Sequence, residues 1–301
     1  MKPRDIAAYL FLAVVWGLSF LVLLRVVQAF GWVGAVSLRS LVAGATLIIA
    51  AKLMRRRLHF TSGWRPLAVV GATTVAAQLI GLSYATPRIG TAMAAIFVTA
   101  IPLFSMLIGQ VWGIEKITAR GLVGLVLGTI GLLLLVGFPS VPVTGSFVLG
   151  CAASLFASFA AAFGSNYASR HLQHTGAFEV TAGSFLFGGL MTLPLLLAVP
   201  VPALPHLIDF GYLLVLSCIM SALNYVLYFR LVASIGPTRT ISVEFVVTVV
   251  AVLVGAFHLH EDLSSMQILG AAVIISGCML VLGLVPEWRW VRRILRSETA
   301  G

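Results

Sequence analysis

Charge is what this chain has least of. Of its 301 residues only 9% are Asp, Glu, Lys or Arg, against about 25% in a soluble globular domain. A water-facing surface all round cannot be built from so few charges, which excludes a soluble fold. Cysteine is scarce as well. Cys151, Cys218 and Cys278 stand apart inside apolar runs with no CxxC pair, and an odd count rules out a complete internal disulfide framework. The three lysines, Lys2, Lys52 and Lys116, follow Met1, Ala51 and Glu115, so none has the preceding glycine of a phosphate-binding loop. There is no GxSxG, no HExxH and no clustered carboxylate pair. The chain therefore carries no catalytic constellation, is not expected to be an enzyme, and is expected to need no cofactor.

What fills the space is hydrocarbon: 60% of the residues are hydrophobic and the mean hydropathy is +1.09. That is the composition of an integral membrane protein. The net charge of +10 does not imply nucleic acid, because the basic residues lie between apolar runs, where the positive-inside rule accounts for them. Taking roughly 20 apolar residues per crossing, the chain divides into ten spans, at 6–27, 34–53, 66–86, 91–112, 119–137, 147–168, 178–198, 208–230, 238–257 and 266–285. The breaks are marked by Gly31, the basic cluster at 52–57, Pro87 with Gly90, Glu115, Pro139 with Pro142, Arg170 to Gly176, Pro200 with Pro202 and Pro205, Gly236 with Pro237, and His258 to Ser265. The first run, from Ile6 to Leu24, imitates a signal peptide. It exceeds the usual 7–15 residues of such a run and lacks a small-x-small site after it, so it is expected to be kept as a span. With the N-terminus inside, sixteen Lys and Arg fall on inner segments and only Arg25 and Arg88 on outer ones. Both termini are expected to be cytoplasmic. Trp32, Trp64, Trp112, Trp288 and Trp290 fall near span ends, as interfacial tryptophans do; Trp16 alone falls near mid-membrane.

An internal repeat organises these spans. Residues 82–135 and 228–281 align without a gap at an offset of 146, which places Gly90 on Gly236, Gly109 on Gly255, Glu115 on Glu261, Gly124 on Gly270 and Gly131 on Gly277. Repeats fix architecture. Because each half has five spans, the second enters from the opposite side, so the expected fold is all-α, with two inverted five-helix repeats, 1–138 and 139–301, and a short basic tail. Such repeats are a common plan of secondary transporters, with the substrate near the midplane between halves.

The string Trp16-Gly17-Leu18-Ser19-Phe20, with Gly90, Pro102, Glu115, Gly124 and Gly131 and the echoes Glu261, Gly270 and Gly277, resembles ten-span members of the drug/metabolite transporter superfamily. The resemblance covers nearly the whole chain and is strongest to bacterial metabolite and amino-acid exporters, including an aromatic amino-acid branch. It implies outward movement of small metabolites through a central cavity without ATP hydrolysis. One departure is that Thr248 stands where the first half has Pro102, so a hinge at Pro102 need not be symmetric.

Several intramembrane polar groups are candidates for the site. Glu244 belongs to a stripe with Thr240, Thr248, Ala251 and Gly255 at helical spacing. As an ionisable group inside a span it is a functional candidate, to hold an ammonium or take up a proton; the structural alternative is an acceptor tied to Arg230 or Arg239. Arg39, the other intramembrane charge, lies about 13 Å from Glu244 in depth. It is a candidate for gating or for holding a substrate carboxylate, with snorkelling as the structural alternative. Gln78 and Asn224 recur at the repeat offset, so an amide occurs in both halves near mid-depth, either lining a cavity or bonding helices together. Trp16, Tyr84, Tyr167, Tyr225 and Tyr228 could form an aromatic wall, although most aromatics in apolar helices are packing. Ser19, Thr99, Ser221 and Thr248 complete the expected lining. The Gly121, Gly124, Gly128 and Gly131 face is explained by close helix packing. His258, His260, Glu261 and Asp262 form the one metal-like cluster and are read as a solvated loop; no metal is expected. The partners expected are the lipid bilayer, a small metabolite such as an amino acid with an apolar or aromatic side chain, and possible exchange of protons, with no nucleic acid. An oligomeric state does not follow from the residues. A membrane-embedded enzyme or lipid-handling protein, or a channel-like uniporter, is the alternative class.

Overall fold

A computed structural model describes residues 2–98, 100–116, 118–136, 144–202, 204–247, 249, 250 and 265–284. Among these the chain is helical, with no strand. Helix α1 (Pro3–Leu53) starts with proline at its first turn and is bent at Gly31, whose φ of 71° is non-helical, so two helical arms follow one another in one element. The next helical stretch begins as α2 (Trp64–Val70), passes through a π-helical stretch (Gly71–Ala77) and continues as α3 (Gln78–Val98). Then come α4 (Ala100–Val111), α5 (Ala119–Val136), α6 (Gly145–His171) and α7 (Ala177–Thr192), the last finishing in a 3₁₀ turn at Leu193–Leu197. Helix α8 (Leu207–Ser217) leads through a second π-helical stretch (Cys218–Leu223) into α9 (Asn224–Ile235). Helix α10 (Pro237–Ile241) follows the turn at Gly236, residues 243–250 are again helical where described, and α11 (Ser265–Leu282) closes the described chain.

Five of these helical stretches are long and apolar enough to cross a membrane, and three shorter ones are apolar. Their outer faces keep large apolar side chains exposed, Val111 at 82% and Leu207 at 92% among them. Lipid, not water, is the solvent that suits such a surface.

The expected boundary at Pro87 and Gly90 is not a helix end, because the backbone stays helical through α3 to Val98. A helix can lose one hydrogen bond to proline and continue with a bend. The Arg88 guanidinium donates to the Tyr84 carbonyl one turn back at 2.7 Å. The metal-like cluster at 258–262 lies outside the described residues.

The repeat is visible in three dimensions. Helices α5 and α11 are repeat-related, and a Cβ on Gly124 would lie 2.7 Å from the Gly277 carbonyl, while one on Gly131 would lie 2.8 Å from that of Gly270. As one partner advances along its helix the other recedes, so the two run antiparallel, and at the repeat offset each contact maps onto the other. Bare glycine is what allows these backbones to touch. The two π-helical stretches share the same relation, since Gly71–Ala77 moved by the repeat offset falls on 217–223, against Cys218–Leu223 observed.

The ends of the bundle are set by side-chain contacts. At the end holding the N-terminus, Ser234 donates to Asp5 and Arg56 pairs with Glu179. At the other, Arg25 pairs with Asp209 at 3.0 Å, and Asp209 in turn caps the His206 backbone N–H at the start of α8. Tyr9 and Ser242, bonded at 3.0 Å, tie α1 to the turn that ends α10.

Candidate substrate cavity

Between the halves lies a cavity lined by Trp16, Thr74, Gln78, Tyr225, Tyr228 and Glu244, among others. Its free volume is ≈ 10 Å³, room for about one water, so in this conformation the centre is closed. Trp16 and Gln78 come from the first half and the tyrosines and Glu244 from the second, so both repeats build the wall.

Local sequence explains how these groups arrive. Gly17, in the WGLSF string, lets α1 press against the helix that carries Glu244. A Cβ there would fall 2.5 Å from Val250 and 3.2 Å from the Val247 carbonyl. Trp16, one residue earlier, is thereby placed beside Glu244's helix. Its indole N–H donates to the Met220 carbonyl in the second π-helical stretch at 3.1 Å. Ser19 donates to the Trp16 carbonyl at 2.7 Å, a bond within its own helix. Trp16 lies 5.3 Å from Tyr225 and 5.7 Å from Tyr228 between ring centroids, and the two tyrosines are 5.7 Å apart. The Tyr228 hydroxyl shares a hydrogen bond of 2.5 Å with Ser165 of α6.

The π-helical stretches end immediately before Gln78 and Asn224. An extra residue per turn rotates whatever follows, and such turns recur at functional sites. Here they re-aim the two amides and, in the second half, the tyrosine pair. Hydroxyls collect carbonyls in these stretches, with Thr74 donating to Val70 and Ser221 to Leu216. Gln78 reaches the cavity, whereas Asn224 is fully buried and, among the described residues, neither atom of its amide has a hydrogen-bond partner. The two amides do not bond to each other.

Arg39 is buried, and its Nε donates to Ser221 at 2.6 Å. It does not line the cavity, but the Tyr225 hydroxyl stands within electrostatic reach of both Arg39 and Glu244. Tyr84 is elsewhere, with its ring 5.8 Å from Trp32 and under the Arg88 guanidinium at 3.5 Å. Tyr167 is also apart, stacked on Phe163 and His171. Pro102 is buried in the first turn of α4. Thr99 and Thr248 lie outside the described residues. Thr74, Ile101, Ala161 and Ile241 line the cavity without having been expected there. Thr74 is four residues before Gln78 and Ile241 three before Glu244, spacings that put each pair on one helical face.

Glu115 turns out to be more than the loop landmark its position suggested. Its carboxylate accepts from both the backbone N–H and the hydroxyl of Thr238 and lies near the charge of Arg239. It sits so close over Gly236 that a Cβ there would collide with Oε1. Thr238 also bonds Ser105 at 3.1 Å, and Ser105 accepts from Asn166 at 2.9 Å. A turn of the first half is thus stitched to the start of α10 in the second, at the N-terminal end of the bundle. Burial raises the Glu115 carboxyl above its ordinary range, against the lowering influence of Thr238 and Arg239.

A helical membrane bundle of two repeats closed around a central polar-aromatic cavity is the architecture of a membrane transporter. The model of the EamA-like transporter family matches twice, at residues 5–137 and 148–283, and the chain belongs to that family. It is 28% identical to Protein PecM of Dickeya dadantii (strain 3937), over 99% of both chains. It is 29% identical to the uncharacterized inner membrane transporter YedA of Escherichia coli (strain K12), over 90% of this chain and 88% of that one. A solved crystal structure shares the fold at a TM-score of 0.79 and 15% identity, covering 94% of this chain and 98% of its own.

Proposed function

We propose that this chain is a secondary exporter of small amphipathic metabolites, with amino acids bearing apolar or aromatic side chains as its leading substrates. The observation that carries the reading is the cavity wall, where both repeats contribute aromatic rings, an amide and one carboxylate to a single closed space. Rings accommodate an apolar side chain, while Gln78 and Glu244 address a polar head group. Arg39, beside Tyr225, gates this space or receives a substrate carboxylate in another conformation. The ten-span, inverted topology with repeats at 1–138 and 139–301 is supported by the antiparallel α5–α11 contact. The charge distribution and the printed name of YedA support a cytoplasmic membrane with both termini inside.

Transport proceeds by alternating access, the two halves rocking about the cavity, with Pro102 as a hinge on the first half and Ser19, Ser221, Thr99 and Thr248 along the path. Energy comes from the substrate gradient or from proton exchange at Glu244. The test is counterflow of labelled amino acids by the purified protein in liposomes, with and without a pH gradient. Solute-stimulated exchange is the expected result. Conductance without counterflow would make the protein a channel, and no movement of any solute would remove the exporter reading. If Glu244→Gln leaves both rate and pH dependence unchanged, the proton role is wrong.

A further inference from the structure

We propose that the substrate head group seated in the central cavity is an organic ammonium, so that amphipathic amines lacking a carboxylate are carried by the same site. This rests on the exporter reading and narrows it to a chemical class. Among the described residues, the cavity lining contains one formally charged side chain, the carboxylate of Glu244, and neither Lys nor Arg. The buried Arg39 is held by Ser221 and lies outside that lining. A substrate carboxylate brought to this wall would face Glu244 as a like charge, an arrangement that rejects ligands. An ammonium meets the opposite sign.

The aromatic groups favour the same ligand. Trp16, Tyr225 and Tyr228 stand within 5.3–5.7 Å of one another on the cavity wall. The indole N–H is spent on the Met220 carbonyl and the Tyr228 hydroxyl on Ser165. What these two residues have left to present is ring face, and ring faces attract cations. Three clustered rings beside one carboxylate form the kind of box that recognises ammonium groups, and the amide of Gln78 adds an acceptor.

Three compounds with one ring and different head groups separate the possibilities: 2-phenylethylamine, phenylalanine and 3-phenylpropionate. Each is tested as the counterflow partner in proteoliposomes, and in parallel for its effect on the thermal unfolding midpoint of the detergent-solubilised full chain. The expected result is that phenylethylamine exchanges at least as well as phenylalanine and raises the midpoint, while phenylpropionate does neither. Glu244→Gln is expected to lower amine exchange about tenfold or more and to abolish the amine's thermal shift. Trp16→Phe should keep more of the preference for amine over acid than Trp16→Leu, each checked for an unaltered size-exclusion profile.

The inference is overturned if phenylpropionate is carried, or if phenylalanine is carried and phenylethylamine is not. It is also overturned, with the exporter reading intact, if none of the three is carried while another solute exchanges. Should no solute exchange and no amine shift the midpoint of well-folded protein, the exporter reading fails and this inference goes with it.

Discussion

Asn166 in α6 and Asn224 at the start of α9 have no solvent exposure at all, yet their amides stand in different surroundings. The Asn166 NH₂ donates to the Ser105 hydroxyl at 2.9 Å, the Ser105 carbonyl at 3.3 Å and the Ala162 carbonyl at 2.9 Å; its Oδ1 alone lacks a partner. Among the described residues, Asn224 has a partner for neither atom. An unbonded buried amide costs free energy, so Asn224 adds nothing to the stability of this conformation through hydrogen bonds. The first asparagine belongs to the seam at the N-terminal end of the bundle, where Glu115, Thr238, Ser105 and Asn166 join four elements into one network. The second immediately precedes Tyr225, which lines the closed cavity. Buried polarity in this protein thus divides into groups that hold the halves together and groups that the static packing does not need.

The largest effect on stability is expected from Asn166→Leu. Removing the amide strips Ser105 and Ala162 of a donor inside the seam, at a cost on the order of 3 kcal/mol, read as a lowered thermal midpoint in detergent. Asn224→Leu is expected to leave stability within about 1 kcal/mol of wild type, or to raise it, because an apolar side chain of similar shape relieves an unmet polar group. Counterflow by that variant is expected to fall about tenfold. Equal loss of stability in the two variants would erase the distinction, and undiminished transport by Asn224→Leu would make that amide a mere relic of the repeat.

Glu115 offers a smaller and sharper test of the seam. Its carboxylate takes the N–H and hydroxyl of Thr238, much as a capping side chain does for a helix start, and such caps contribute about 0.5–2 kcal/mol. Glu115→Ala is expected to lose about that much. Gly236→Ala should lose a comparable amount, because its Cβ would occupy the space of Oε1 and its φ of 89° suits glycine. Since each change displaces the same carboxylate, the double variant should cost less than the two single costs combined. Full additivity would show that Glu115 and Gly236 act separately and that the contact does not hold the halves.

How much of this could be read in advance depended on which interactions lie along the chain. The repeat was legible because Gly124 and Gly131 reappear as Gly270 and Gly277, and glycine is retained at helix crossings for a steric reason that leaves a mark in sequence. The placing of Trp16, Tyr225, Tyr228, Gln78 and Glu244 on one wall followed from polarity and depth. The π-helical stretches were not legible, since hydropathy does not distinguish a turn with one additional residue from an ordinary one. Tyr84 was placed in the aromatic wall as a ring within an apolar helix, but that could not show that Trp32 and Arg88 would take it. Glu115 looked like a loop landmark because its partners, Gly236 and Thr238, belong to the other half.

The smallest expected effect is one of pH, and it concerns the seam alone. Glu115 lies in the turn between α4 and α5, outside the crossing helices, and burial lifts its carboxyl above the ordinary value of 4.5, with Thr238 and Arg239 pulling the other way. The folded protein therefore holds this proton more firmly than the unfolded chain does. Stability from the group is fully present below the unfolded value and is lost as pH rises through the folded one. Thermal midpoints measured upward from about pH 4.5 should fall more steeply for wild type than for Glu115→Gln, by a few degrees at most, because glutamine has no proton to lose while still accepting from Thr238. Other carboxylates titrate in both proteins, so the difference between the two slopes isolates Glu115. A wild-type slope equal to the variant's, or of opposite sign, would mean that the partners Thr238 and Arg239 outweigh burial, and that the seam tightens on ionisation instead of loosening.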